Sequence, residues 1–241
     1  MSGYDSSTYG DRWAEIYDEW TSGHVTSPGD ADFLAEHARG GRALELGVGT
    51  GRVAIPLAER GVEVVGIDAS DRMIEKLRAK SDRVETVKGE MADVAAEGEF
   101  DLVYVVFNTF FAMLAQEEQV RCFANAVQRL KPDGVFVIQA FVPDLTRFER
   151  GQRVEATDVE PDSVAIDASV HDPVTQTVTT QKLVVSDGIV RMLPIRIRYA
   201  WPSELDLMAR LAGLRLRERY ESFERRPFTA ASQSHVSVYG R

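Results

Sequence analysis

From residue 42 onward, short apolar runs alternate with amphipathic stretches. "RALELGV" (42–48), "VEVVGID" (62–68), "RVETVKG" (83–89), "FDLVYVVF" (100–107) and "GVFVIQAF" (134–141) predict five strands. Between them, "GRVAIPLAERG" (51–61), "SDRMIEKLRAKS" (70–81) and "EEQVRCFANAVQRL" (117–130) carry a helical period, with Ser70 or Asp71 suited to cap the second. Strands that alternate with helices at this spacing predict an α/β fold, a Rossmann-like doubly wound and mostly parallel sheet. Its right-handed crossovers place the ligand loops along the carboxyl ends of the strands.

The flanks read differently. "YGDRWAEIYDEW" (9–20) predicts one helix with Trp13, Ile16, Tyr17 and Trp20 on a single face. The loop "TSGHVTSPGD" (21–30) and a helix in "ADFLAEHARG" (31–40) follow. Beyond Phe141 the period becomes that of half-exposed antiparallel strands: "SVAIDASV", "QTVTTQKLVVS" and "GIVRMLPIRIRY", turning at "HDPVTQ" and "SDG". They predict a small antiparallel insertion over 151–200, a lid or a dimer element. The main domain then comprises 1–150 and 201–241. Its tail holds the helix "PSELDLMARLAG" and the strands "LRLRERYESF" and "SHVSVYG".

Composition narrows the field. A chain of 241 residues with 44% hydrophobic content is long enough for a full core. Its net charge of −10 weighs against a general affinity for nucleic acid. The basic run "RLRER" (215–219) fits a solvated strand face. A single cysteine, Cys122, excludes an internal disulfide and a cysteine-rich metal site, and no metal is expected. No apolar run approaches the roughly 20 residues of a membrane span, so the expected location is the cytoplasm.

The chemistry concentrates in "ALELGVGTGRVAIPLAERGVEVVGIDAS" (43–70). Gly47, Gly49 and Gly51 give G-x-G-x-G, but Arg52 stands where the dinucleotide fingerprint needs Gly or Ala. Glu45, two residues ahead of the first glycine, would repel a pyrophosphate and would suit an ammonium group. Asp68 ends the second strand, 21 residues beyond Gly47, where a carboxylate accepts both ribose hydroxyls. One carboxylate for an amine and another for a ribose describe an adenosine that bears an amino acid.

These residues, with "VKGEMADV", "FDLVYVVFNTFFAML" and "LKPDGVFVIQAF", resemble the class I S-adenosylmethionine-dependent methyltransferases. Within that family the chain looks most like bacterial small-molecule enzymes, among them the amino-sugar N-methyltransferases of antibiotic pathways. The likeness is strongest over 40–145. The family's Pro-Gly-Gly turn reads Pro132-Asp133-Gly134 here, a substitution that turn geometry accepts.

The resemblance implies S-adenosylmethionine as cofactor, with S-adenosylhomocysteine as product, and a small-molecule acceptor. It implies that Glu45 and the Gly47 backbone hold the methionine ammonium while Gly49 and Gly51 let the loop wrap that moiety. Asp68 takes the ribose, with Ala69 beside it and Met73 against the adenine. Glu90 bonds the adenine amine, the Met91 amide a ring nitrogen. Phe107 lies near the sulfonium, and Tyr17 closes over the methionine end.

Catalysis is less legible. The cofactor carries an activated methyl group, so the protein has mainly to align the acceptor and exclude water. Asn108, His24, His171 and Tyr17 are the candidates for orienting the acceptor or taking its proton. His37 and His235 read as structural. Two other readings stay open, a non-catalytic S-adenosylmethionine-binding protein and, opposed by Arg52, an NAD-dependent oxidoreductase. The acceptor atom is not legible.

Overall fold

The structure is a computed structural model and describes residues 3–22 and 29–241. Three helices come first: α1 (Thr8–Trp13), α2 (Tyr17–Ser22) and α3 (Gly29–Ala38). The alternating part begins with β1 (Arg42–Leu46), α4 (Ala54–Glu59), β2 (Glu63–Asp68) and α5 (Asp71–Lys80). It continues through β3 (Val84–Lys88), β4 (Phe100–Val105), α6 (Gln116–Arg129) and β5 (Leu130–Phe141). The inserted strands are β6 (Gln152–Glu160), β7 (Ser163–Asp172), β8 (Thr177–Ser186) and β9 (Ile189–Arg198). The chain ends with α7 (Pro202–Leu211), β10 (Arg215–Tyr220) and β11 (Ser234–Gly240).

The seven-stranded sheet runs β10-β11-β5-β4-β1-β2-β3, with β11 antiparallel to its neighbours and β1 to β5 parallel. β1 and β4 are central and buried on both faces, which is why "LEL" and "LVYV" read as continuous runs. Ser70 caps α5, its hydroxyl accepting the Met73 amide at 3.3 Å, and Pro202 opens α7 where its missing N–H costs nothing.

Three expectations need correction. The N-terminal segment is two short helices rather than one. α1 closes at Trp13 and the chain turns, the Ile16 amide reaching Trp13 O at 3.0 Å before α2 begins. The aromatic face survives the break: Trp13, Ile16, Tyr17 and Trp20 share one cluster with Met73 of α5 and Leu193 of β9. The insertion has four strands in the order β6-β7-β8-β9, not three. β5 starts at Leu130 rather than at Gly134. The turn expected at "LKPDG" is an irregularity inside the strand, where pairing jumps from Phe100↔Leu130 to Leu102↔Val135.

The two faces of the inserted sheet differ. Ala165, Lys182 and Leu193 are buried on the inner one. Strand register puts Val154, Val159, Val170, Val190 and Met192, all exposed, on the outer one. The inner face rests on α1 and on the 3₁₀ turn at Thr109–Ala112 that follows β4.

Candidate functional site

A cavity of about 340 Å³ opens beyond the carboxyl ends of β1, β2 and β3. Gly47 and Gly49 line it from the first loop, Asp68 and Ala69 from the end of β2, and Met73 from α5. Glu90 and Met91 line it after β3, and Tyr17 faces it from α2. Eight of the residues expected at a cofactor are thus brought together from five segments. Gly47 adopts a φ of +74°, and a Cβ there would stand 2.3 Å from Thr109 Cγ2. Glycine is needed on both counts.

Asp68 is tied down from two sides. Its Oδ2 accepts the Gly49 amide at 2.8 Å and its Oδ1 the Ser70 amide at 2.9 Å. Burial raises the pKa of its carboxyl, and these backbone N–H groups work against that rise. Each oxygen keeps a further lone pair for a ligand hydroxyl.

Glu45 lies beneath the loop, 3% exposed, with Oε2 accepting the Tyr104 hydroxyl at 2.9 Å. Burial pushes this carboxyl up to about 8, although the Tyr104 hydrogen bond and the nearby Arg52 both pull it down. A buried carboxylate in that state gains from a cation placed beside it. The donor set therefore fits a ligand with an ammonium at one end and a ribose at the other.

The N-terminal segment closes the cavity. Tyr4, Ser6, Tyr9 and Gly10 line it, none of them expected from sequence, although Tyr4 and Tyr9 belong to the aromatic-rich start. Gly10 is pressed so closely on α5 that a Cβ would sit 2.5 Å from Ser70 Cβ. Polar latches hold the segment. Ser6 Oγ donates to Glu90 Oε1 at 2.5 Å, Ser70 Oγ to Asp11 Oδ1 at 2.6 Å, and Thr50 Oγ1 to Asp18 Oδ1 at 2.6 Å. Lys80 Nζ pairs with Asp18 at 2.7 Å and also donates to Thr50 O at 3.0 Å. Burial opposes ionisation of Asp18, yet the Lys80 and Thr50 hydrogen bonds hold its carboxyl below the usual range.

The remaining candidates sit elsewhere. Gly51 faces Ile55 and Leu77 and gives room for α4 and α5 to approach the loop. Phe107 packs between Trp20, at 6.0 Å between ring centroids, and the Arg52 guanidinium, 4.8 Å from its ring. Phe107 and Asn108 both have positive φ, and the Asn108 Oδ1 accepts the Phe141 amide at 2.7 Å. That side chain ties the end of β4 to the end of β5. His171 lies in β7 rather than in a turn, stacked on Phe148 and 3.0 Å from the Tyr199 hydroxyl. His37 stacks on Phe33, and its Nδ1 is 2.8 Å from Phe33 O. His235 is buried, with Nδ1 2.9 Å from Ser237 Oγ. Cys122 is buried, which pushes its thiol up to about 12. His24 lies outside the described residues. No helix among the described residues is long and apolar enough to cross a membrane.

Residues 43–134 match the model of a methyltransferase domain. The cypemycin N-terminal methyltransferase of a Streptomyces species is 30% identical over 243 residues, spanning 98% of this chain and 99% of that protein. The solved CcbJ methyltransferase from Streptomyces caelestis is 44% identical and superposes with a TM-score of 0.92, covering 98% of this chain and 99% of its own. The amino pentose methyltransferase CalS10 from Micromonospora echinaspora, solved with its S-adenosylmethionine, is 20% identical with a TM-score of 0.71 over 92% of this chain and 96% of its own. That last likeness speaks for the fold alone.

Proposed function

Because the chain belongs to the class I S-adenosylmethionine-dependent methyltransferases, we propose that it transfers the methyl group to an amine of a small molecule or short peptide. The observation that carries this reading is the full-length similarity to an enzyme named for methylating an N-terminus. The chemistry of the cavity supports it. A neutral amine is nucleophilic as it stands and needs no base during the transfer, unlike a hydroxyl. Among the hydroxyls that line the cavity, the phenols of Tyr9 and Tyr17 are raised above their ordinary range by burial.

Bound S-adenosylmethionine supplies an activated methyl group on a sulfonium. The chain's own residues do the rest. Glu45 and the Gly47 backbone hold the ammonium end, and Asp68 takes the ribose diol. Glu90 and Met91 meet the adenine, with Ala69 and Met73 packed beside it. Tyr17 and the latched N-terminal segment keep water from the inner end. The inserted sheet covers the acceptor. Its outer row of exposed valines favours a second role, self-association through that face, which light scattering at several protein concentrations checks.

The test is a calorimetric titration with S-adenosylhomocysteine, followed by methyl transfer to a panel of primary and secondary amines and matched alcohols. Asp68→Ala is expected to weaken the nucleoside by about 100-fold, since two charge-assisted hydrogen bonds are removed. Methyl groups that appear on oxygen and not on nitrogen would overturn the amine reading.

A further inference from the structure

A second cavity, of about 530 Å³, lies between the inner face of the inserted sheet and the rim beyond β5. One hydrogen bond joins the linings of the two cavities. Thr109 lines the first cavity, and the preceding Asn108 holds the amide of Phe141, which lines the second. Part of its wall is apolar, formed by Phe141, Phe148, Val178 and Ile197.

The charges of the lining decide what that space accepts. Three carboxylates, Asp144, Glu155 and Asp167, face two guanidiniums, Arg147 and Arg153. Arg153 pairs with Glu155 directly, while Arg147, half exposed, stands farther off with its Nη2 3.9 Å from Glu155 Oε2. Lys182, 6% exposed behind the wall, pairs with Asp167 at 2.8 Å and donates to Thr157 Oγ1. The Lys182 ammonium stands on Asp167 Oδ1 itself, so this carboxylate is charge-paired and offers only its remaining lone pairs to a ligand. Asp144 accepts only from Thr146, whose hydroxyl and amide hold its carboxyl below the usual range.

A phosphate entering here would have to pull Arg153 from Glu155 and face two more carboxylates, on a chain of net charge −10. An ammonium or a set of hydroxyls meets acceptors instead. Building on the amine reading, we propose that this cavity holds the body of the acceptor, and that the acceptor is a phosphate-free amine with an apolar or aromatic portion, not a nucleotide-linked sugar. The apolar portion packs on Phe141 and Phe148, while hydroxyl or amine groups turn to Asp167, Ser169 and Thr180.

The experiment pairs two probes that carry the same amino sugar, one as a nitrophenyl glycoside and one as a uridine diphosphate conjugate. Peptides with a free N-terminal amine form a third arm. Each is titrated into the complex with S-adenosylhomocysteine by calorimetry, and each is assayed for transfer. The phosphate-free probes are expected to bind at least about ten-fold more tightly than the nucleotide conjugate, and Asp167→Asn to weaken them by about ten-fold. The affinity of that variant for S-adenosylhomocysteine is expected to be unchanged, which shows that it folds. Equal or tighter binding of the nucleotide conjugate overturns the proposal while leaving the amine reading in place. So does phosphate-free binding that is indifferent to both Asp167→Asn and Phe148→Ala. If no amine is bound or methylated although S-adenosylhomocysteine binds, the amine reading fails and the proposal falls with it.

Discussion

Glu45 and Tyr104 are register partners on adjacent parallel strands, and the tyrosine donates its hydroxyl to the carboxylate at 2.9 Å where neither reaches solvent. This pair sets the electrostatics of the inner end of the cavity. In the cofactor-free protein Glu45 keeps its proton up to about pH 8. Binding of an ammonium favours the carboxylate and so expels that proton. Affinity for S-adenosylhomocysteine is therefore expected to rise with pH, by up to about ten-fold per unit as pH climbs towards that value, and then to level off. The slope should vanish in Glu45→Gln. Calorimetry in buffers of different ionisation enthalpy reads the released proton, and a flat profile in the parent protein would exclude Glu45 as the ammonium's partner. The same shift carries a stability cost. Between pH 4.5 and about 8 the folded chain holds a proton that the unfolded chain has lost, so the cofactor-free fold weakens as pH rises through that window.

Asp18 fastens α2 to the glycine loop through Thr50 and to α5 through Lys80. Its side chain is about half exposed, so solvent screens the pair and the contribution is modest. Asp18→Ala is expected to speed release of S-adenosylhomocysteine by roughly two- to five-fold, with a smaller effect on the association rate. Stopped-flow displacement measures both rates. An unchanged release rate would mean that the latch does not gate the cavity.

Asn108 carries an intramolecular load. Removing its side chain strips the Phe141 amide of its acceptor at a residue whose backbone is already left-handed. Asn108→Ala is expected to lower stability by about 2–4 kcal/mol, while Asn108→Asp, which keeps an acceptor, restores most of it. Urea denaturation gives the comparison. A fully stable alanine variant with a raised acceptor KM would return Asn108 to the orienting role that its position suggested.

His235 is buried with its Nε2 unpartnered, and burial together with Arg219 pushes its pKa down to about 3. The unfolded chain takes up a proton below about pH 6.5 that the folded chain refuses, so stability falls as pH drops through that range. Between pH 6.5 and about 4.5 this one site is expected to cost about 2–3 kcal/mol. His235→Gln should recover that amount on the acid side and little at pH 7. Acid sensitivity that the variant retains in full would assign the loss to other groups.

How much of this was legible follows from what each pattern records. β1, β2 and β4 were readable because a parallel strand buried on both faces is apolar nearly throughout, and "LVYV" could be little else; β3, at the edge, showed only the short run "VETVK". Gly47, Gly49 and Asp68 line the cavity where the strand-loop spacing predicts a ligand rim. β6 escaped notice because it is an edge strand: in "QRVEATDVE" one face bears charged residues and the other leaves Val154 and Val159 in solvent, so no buried stripe marks it. Phe107 was expected beside the cofactor from its place after β4. Its left-handed backbone sets the ring against Trp20 and Arg52, and a sequence does not record that turn. Tyr4, Ser6 and Tyr9 line the cavity through long-range docking of the N-terminus, which local periodicity does not encode.

The cluster that joins Trp13, Tyr17 and Met73 to Leu193 also bears on how such enzymes can be recombined. Trp13 comes from the first helix and Leu193 from the last inserted strand, and both are buried in the same cluster. They are two sides of one seam. A chimera that exchanges only the stretch between Gly151 and Ala200 would cut along it and set a foreign surface against Trp13. Acceptor preference is therefore a property to be transplanted in two pieces, the inserted sheet together with residues 4–20, and a graft of either piece alone should fold less well than a graft of both.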